Sequence, residues 1–104
     1  MTARIMVFAQ VATDEGEAFE KAYLQVAERM RGTSGLLADE LLRGAADDGQ
    51  YVLLSEWESV ERFHTWHDDD AHREVSAPMR PYWAGSTSVR IYDLAARLSP
   101  SESR

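Results

Sequence analysis

Three aromatic and two histidine side chains lie close together near the middle of the chain. Trp57 is followed six residues later by Phe63 and then by Trp66. On the surface of the predicted helix, His64 and His67 lie on either side of the line through Val60 and Phe63, so we expect both to face inward. An imidazole can move a proton near neutral pH, and aromatic walls suit a flat polycyclic substrate. The alternative for all five is ordinary core packing, with the two histidines partly buried and hydrogen-bonded to the backbone or to Asp68.

Charged residues in and after this segment suggest two further kinds of site, one for a metal ion and one for an anionic substrate. His64 and Asp68, or Asp68 and His72, are four residues apart, which lets two helical side chains approach one metal ion. A protein metal site needs three or four ligands, so we predict no metal site. Arg73 and Arg80 could hold an anionic or phenolate substrate at the rim of a pocket. The alternative for both arginines is solvation at the surface.

The first part of the chain predicts a strand followed by a helix. Ala3–Val11 is rich in Ile, Val and Phe, which favours a strand. Asp14 and Glu17 form a capping-box pattern, and Gly32 supplies a stop. Between them an apolar stripe with helical spacing is formed by Phe19, Ala22, Tyr23, Val26, Ala27 and Met30. We also place Tyr23 among the candidate substrate-binding residues.

The rest of the chain predicts a hairpin, a broken helix and a last strand. The hairpin consists of Leu36–Arg43, the loop Gly44–Gly49 and the strand Gln50–Trp57. Ser59 can cap a second helix, which the acidic run Asp68–Asp70 interrupts. A further helical piece carries Ala71, Val75 and Met79 and ends around Pro78 and Pro81. Ser86–Leu94 alternates as the last strand.

This order, βαββαβ, predicts an α+β fold of ferredoxin-like type with a four-stranded antiparallel sheet. Two helices can cover only one face of such a sheet, yet the strands are apolar on both sides. The residues expected on the uncovered face include Met6, Phe8, Val52, Leu54, Tyr92 and Leu94. Leaving so much apolar surface in water is unfavourable, so we predict a homodimer that buries it. The alternative is an irregular monomer with a few exposed aliphatic residues.

Composition narrows the classes of partner. The 104 residues include 18 Asp and Glu against 11 Lys and Arg, a formal net charge of −7, which disfavours nucleic acid. The absence of cysteine excludes disulfides, thiolate nucleophiles and iron–sulfur clusters.

Without a secretion signal or a long apolar run, we predict a cytoplasmic protein with no membrane partner. We predict one domain over residues 1–98 and a flexible tail over residues 99–104.

The pattern W-x5-F-x2-W, with Trp-Glu-Ser at its start, resembles the antibiotic biosynthesis monooxygenase family of dimeric α/β-barrel proteins. The resemblance implies that two sheets pair into a barrel and that each subunit keeps a pocket between helices and sheet. Members include cofactor-free oxygenases of polyketide anthrones and enzymes that degrade heme. In the anthrone oxygenases an Asn precedes the strand Trp by four residues and a Tyr follows it by six. Here Leu53 and Phe63 occupy those places, and Trp57 is retained.

The heme-degrading relatives match this chain in a different residue. Their helical Trp corresponds to Trp66, which the resemblance implies is catalytic. Ala9 and Ser76 stand near the places of their Asn and His, which disfavours heme degradation. His72, one helical turn before Ser76, could serve as an axial ligand if the helix is phased differently.

This resemblance, together with the histidines expected to face inward, implies a cofactor-independent monooxygenase that uses dioxygen to oxidise an aromatic polyketide-like or quinone-forming substrate. The candidate catalytic residues are His64, His67 and Trp66, and the candidate substrate-binding residues are Trp57, Phe63, Tyr23, Arg73 and Arg80. The alternatives are a non-catalytic dimer that binds a hydrophobic ligand or heme, and a polyketide cyclase or isomerase on the same fold.

Overall fold

The computed structural model describes residues 2–46, 48–69, 71–83 and 87–98. Within them the strands are β1 (Ala3–Gln10), β2 (Leu36–Arg43), β3 (Gln50–Trp57) and β4 (Ser88–Asp93). The helices are α1 (Gly16–Met30), α2 (Val60–His67), α3 (Ala71–Ser76) and α4 (Arg80–Trp83). The predicted tail, together with Ser86 and Asp70 at two predicted boundaries, lies outside the described residues. None of the described helices is long and apolar enough to cross a bilayer.

The four strands form one antiparallel sheet in the order β2-β3-β1-β4. The predicted α+β ferredoxin-like fold is therefore confirmed. The hairpin boundaries are those predicted, whereas β1 ends one residue early, at Gln10. The next residue, Val11, is buried and its backbone N–H donates to the Gly49 carbonyl at 2.8 Å.

The core lies between the helices and one face of the sheet, which we call the inner face. Its residues alternate along each strand, as the period of two requires. Ile5, Tyr51 and Trp57 come from the sheet, and Phe19 and Val26 from α1; all five are buried. Phe19 packs edge-on against Tyr51, with 4.9 Å between ring centroids. The helical stripe predicted for α1 is thus the surface that it buries.

None of the described helices covers the opposite side of the sheet, which we call the outer face. Its centre is formed by Met6, Phe8, Leu42, Val52, Leu54 and Tyr92. Phe8, Leu42 and Tyr92 are exposed large hydrophobic residues. Polar residues border this patch, including the ion pair between Arg4 and Glu56 at 3.4 Å. The outer face therefore has an apolar centre and a charged margin.

The start of α1 differs from its prediction. Asp14 does not cap the helix, because it lies inside a 3₁₀ turn formed by Thr13–Glu15. Glu15 occupies the N-cap position, and no side chain caps it. The expected capping box is therefore wrong, since a capping residue must lie just outside the first turn. The predicted end is correct: α1 stops at Met30, and Gly32 adopts a φ of 77°.

The helical region after β3 is broken as predicted. Ser59 caps α2 by accepting a hydrogen bond from the Arg62 N–H at 3.1 Å. The helix ends at His67, before the acidic run, and α3 ends at Ser76, before Pro78. One more helical turn, α4, includes Pro81 near its start, where a missing backbone donor costs little.

Candidate active site

A cavity of about 250 Å³ lies between the inner face of the sheet and the helices. Each strand and each helix named above contributes at least one side chain to its wall. Apolar residues form most of this wall, with a small number of titratable groups among them. Such a combination is typical of a site for a small molecule.

Aromatic side chains dominate one end of the cavity. Trp57 is 1% exposed at the end of β3, and its ring centroid lies 5.7 Å from that of Phe63 and 5.4 Å from that of Trp66. The indole N–H of Trp57 donates to Ser55 Oγ at 2.9 Å, which fixes the ring. Trp83 also lines the cavity, so all three tryptophans of the chain lie on its wall. The structure thus brings together the aromatic group that the sequence singled out.

The position of α2 above the sheet is set by the chain just before β2. Gly35 has a φ of 88°, and a Cβ built on it would lie 2.7 Å from the Cβ of Arg62 on α2. Its carbonyl accepts from the Glu58 N–H at 2.8 Å, and Arg62 Nη1 donates to Ser34 Oγ at 2.9 Å. Only glycine allows this close approach, which holds the aromatic residues of α2 against the sheet.

The three histidines differ in position. His67 and His72 both line the cavity, with 4.6 Å between their ring centroids. Burial, followed by the positive charges of His67, Arg80 and Arg73, lowers the pKa of His72. His64 is exposed and does not line the cavity, so the prediction that it faces inward is wrong. It is exposed on α2, with its ring centroid 5.4 Å from that of Phe63.

Of the other predicted binding residues, only Arg80 reaches the cavity. Its guanidinium donates to Ser76 Oγ from Nε at 3.2 Å and from Nη2 at 3.0 Å. Arg73 is exposed and lies outside the cavity wall. Tyr23 is buried in the core and is not part of the wall; its hydroxyl hydrogen-bonds to Asp39 instead. The structure therefore does not bring Arg73 or Tyr23 to a substrate in this cavity.

Sequence reasoning missed Asp39 and Ser55, two polar residues of the cavity wall. Asp39 lies on the inner face of β2, two residues before the inward-facing Leu41. Burial raises the pKa of Asp39 to about 6, although hydrogen bonds from Tyr23 and from the Glu40 backbone act in the opposite direction. The sequence signal that could have identified Asp39 is a carboxylate at an inward-facing position of a largely apolar strand. A register shift between residues 36 and 38 hides the alternation of β2.

The cavity can hold a flat aromatic molecule and exchange protons with it. The aromatic walls favour stacking, and carboxylate, imidazole and guanidinium groups reach the same space. Among the described side chains, no three His, Asp or Glu residues are grouped as metal ligands. The titratable groups of the described wall can transfer protons and bind an anion.

Comparison with known proteins places this geometry in context. The family model described as antibiotic biosynthesis monooxygenase matches residues 2–77. Protein SchA of Streptomyces halstedii is 32% identical over 69 residues, which cover 66% of this chain and 18% of that protein. A 42.8 kDa protein of the whiE locus of Streptomyces coelicolor is 27% identical over 105 residues, covering 97% of this chain and 26% of that protein. The chain thus spans about a quarter or less of these two relatives.

Solved structures share the fold across most of the chain. SnoaB of Streptomyces nogalater, described as a cofactor-independent oxygenase, superposes with a TM-score of 0.72. The match covers 93% of this chain and 95% of SnoaB, at 17% sequence identity. At this identity the similarity establishes a common fold.

Proposed function

Because the chain belongs to the antibiotic biosynthesis monooxygenase family, we propose that it is a cofactor-independent monooxygenase acting on an aromatic polyketide-like or quinone-forming substrate. The observation that carries the proposal is the cavity between helices and sheet, in which aromatic walls surround titratable groups. SnoaB, which shares the fold and is described as a cofactor-independent oxygenase, supports the same class of reaction.

The reaction converts an acidic ring methylene of a hydroxyanthrone-type substrate to a carbonyl. One molecule of dioxygen is consumed, one of its oxygen atoms enters the product and the other leaves as water. Trp57, Phe63 and Trp66 hold the flat ring system by stacking. Arg80, held by Ser76, binds a phenolate oxygen through charge-assisted hydrogen bonds. His67 lies at the cavity wall and assists proton movement.

Oxygen consumption with dithranol, a dihydroxyanthrone, tests this proposal. We expect the protein to accelerate oxygen uptake and quinone formation above the spontaneous rate, with saturation as dithranol increases. His67→Gln should reduce the rate, whereas His64→Gln should not, because His64 is exposed outside the cavity. Quinone formation no faster than with heat-denatured protein would contradict the proposal.

We also propose that the active form is a homodimer in which the outer faces of two sheets meet. The apolar centre of the outer face is surrounded by charged residues, the usual arrangement of a protein interface. Phe8, Leu42 and Val52 additionally line an open groove of about 280 Å³ on this side, which side chains of a second copy could fill. Each subunit would retain its own cavity, since the cavity lies on the other side of the sheet.

A second candidate function is non-catalytic binding of a hydrophobic ligand. It is favoured by Leu53 and Phe63, which place apolar surface in the cavity where the resemblance described above would place an Asn and a Tyr. The oxygen-uptake experiment separates the two functions. Saturable binding of dithranol without any acceleration of quinone formation would favour the binding protein.

A further inference from the structure

Asp39 occupies an unusual position for a charged residue. It faces the core side of the sheet, and its partner across the β2–β3 ladder is Ser55. Directly opposed side chains in an antiparallel pair have Cβ atoms roughly 5 Å apart. Both residues lie on the cavity wall, beside the aromatic residues that we assign to substrate stacking. A substrate in the cavity would therefore meet a carboxylate from the sheet side.

The hydrogen bonds around Asp39 prepare it to accept a proton. The Tyr23 hydroxyl and the Glu40 backbone N–H both donate to the carboxylate from outside the cavity. Ser55 Oγ accepts from the Trp57 indole, so its own hydroxyl proton is available to a neighbour or a substrate. Asp39 is thus held in place by these hydrogen bonds at its position on the cavity wall.

We propose that Asp39 is the general base that deprotonates the aromatic substrate before it reacts with dioxygen. This inference rests on the proposed monooxygenase function. It assigns a catalytic role to a residue of β2 that was not among the candidates from the sequence.

The proton moves as follows in a hydroxyanthrone. Asp39 takes one proton of the ring methylene, and the resulting carbanion gives one electron to dioxygen. The radical pair combines into a carbon–oxygen bond, and the peroxide anion takes the proton back from Asp39. The carboxylate then removes the second methylene proton, and the released electron pair forms the carbonyl as the O–O bond breaks. The departing hydroxide takes this proton and leaves as water, which restores the carboxylate.

The surroundings favour Asp39 over the histidines for this step. A base works best when its pKa approaches the working pH, and burial shifts Asp39 upward to about 6 while it lowers the pKa of His72. Burial in an apolar site makes a carboxylate more basic, whereas it makes an imidazole less basic. The titratable and charged groups that face the cavity or contact Asp39 are Tyr23 on α1, Glu40 on β2, His67 on α2, His72 on α3 and Arg80 on α4.

Asp39→Asn tests the proposal in two ways, with Asp93→Asn as a matched control. Asp93 lies on β4, on the same side of the sheet, but is exposed and outside the cavity. The first measurement mixes dithranol with protein without oxygen and records the absorbance of the bound anion. We expect the anion with the unmodified protein and with Asp93→Asn, and binding without anion formation with Asp39→Asn.

The second measurement is the pH profile of oxygen-dependent turnover. The unmodified protein should lose kcat/KM as the pH falls through about 6, because protonated Asp39 cannot act as a base. Asp39→Asn should reduce the rate by about a hundredfold or more and abolish this acid limb. Tyr23→Phe should move the limb to higher pH, because the lost hydrogen bond had lowered the pKa of Asp39.

The outcomes separate this inference from the proposed function. If the unmodified protein turns over dithranol and Asp39→Asn shows the same rate and the same pH profile, the assignment of Asp39 as the base is overturned. The proposed monooxygenase function would then still stand. Anion formation with Asp39→Asn, or none with the unmodified protein, would also overturn the assignment of Asp39 as the base. Anaerobic anion formation that requires Asp39, without turnover in oxygen, would support the base and contradict the monooxygenase. As a check on folding, Asp39→Asn should raise the urea midpoint at neutral pH, because ionisation of a partly buried carboxyl with a raised pKa destabilises the folded protein.

Discussion

Replacement of Phe8 by threonine should weaken the proposed dimer by an amount that the structure allows us to calculate. Phe8 lies on β1 in the middle of the outer face and is 38% exposed. A phenylalanine presents roughly 200 Å², so about 75 Å² remains to be buried. At about 25 cal/mol per Å² this contributes about 2 kcal/mol per chain and about 4 kcal/mol per dimer. The dissociation constant should therefore rise by at most roughly 700-fold.

Sedimentation velocity over a dilution series measures this change. The unmodified protein should sediment with the mass of two chains at micromolar concentration, and Phe8→Thr should dissociate at much higher concentration. Leu24→Gln is the control, because Leu24 is 66% exposed but lies on α1, away from the outer face. A monomer mass for the unmodified protein, or equal dissociation constants for the unmodified protein and Phe8→Thr, would refute the reasoning.

Three further predictions concern the fold and the cavity. The hydrogen bonds from Arg43 are the main cause of the lowered pKa of Glu20. Their stabilising effect on the fold should therefore be present above pH 4.5 and disappear at lower pH. Glu20→Gln should flatten the acid dependence of the urea midpoint. Trp57→Phe removes the hydrogen bond to Ser55 and leaves unfilled volume at a side chain that is 1% exposed, so it should lower the free energy of unfolding by about 2 kcal/mol, measured by urea denaturation. Arg80→Gln should raise KM for dithranol by about tenfold with kcat nearly unchanged, because it removes a charge-assisted contact to the bound phenolate; an unchanged KM would remove Arg80 from the site.

Most of the fold could be predicted from the sequence because its signals are local. The stripe of α1, the stop at Gly32, the cap at Ser59 and the hairpin each depend on residues close together in the chain. The start of α1 could not be predicted in the same way. The capping-box pattern at Asp14 competes with a 3₁₀ turn, and the backbone geometry of that turn decides the outcome.

The candidate site was only partly predictable, because its geometry depends on how distant elements meet. The aromatic group could be predicted, since Trp57, Phe63 and Trp66 lie within one short segment. Helical periodicity alone did not distinguish His64 from His67, because both lie near the edge of the buried stripe of α2. Asp39 comes from a strand far from that segment, and only the packing of β2 beside β3 brings it to the cavity.

Tryptophan fluorescence tests the central claim, that the cavity between helices and sheet binds a flat aromatic substrate. All three tryptophans of the chain, Trp57, Trp66 and Trp83, line this cavity, so intrinsic fluorescence reports directly on its contents. In a titration with dithranol without oxygen, we predict saturable quenching with one molecule bound per chain. Fluorescence that does not change up to the solubility limit of dithranol would contradict the claim.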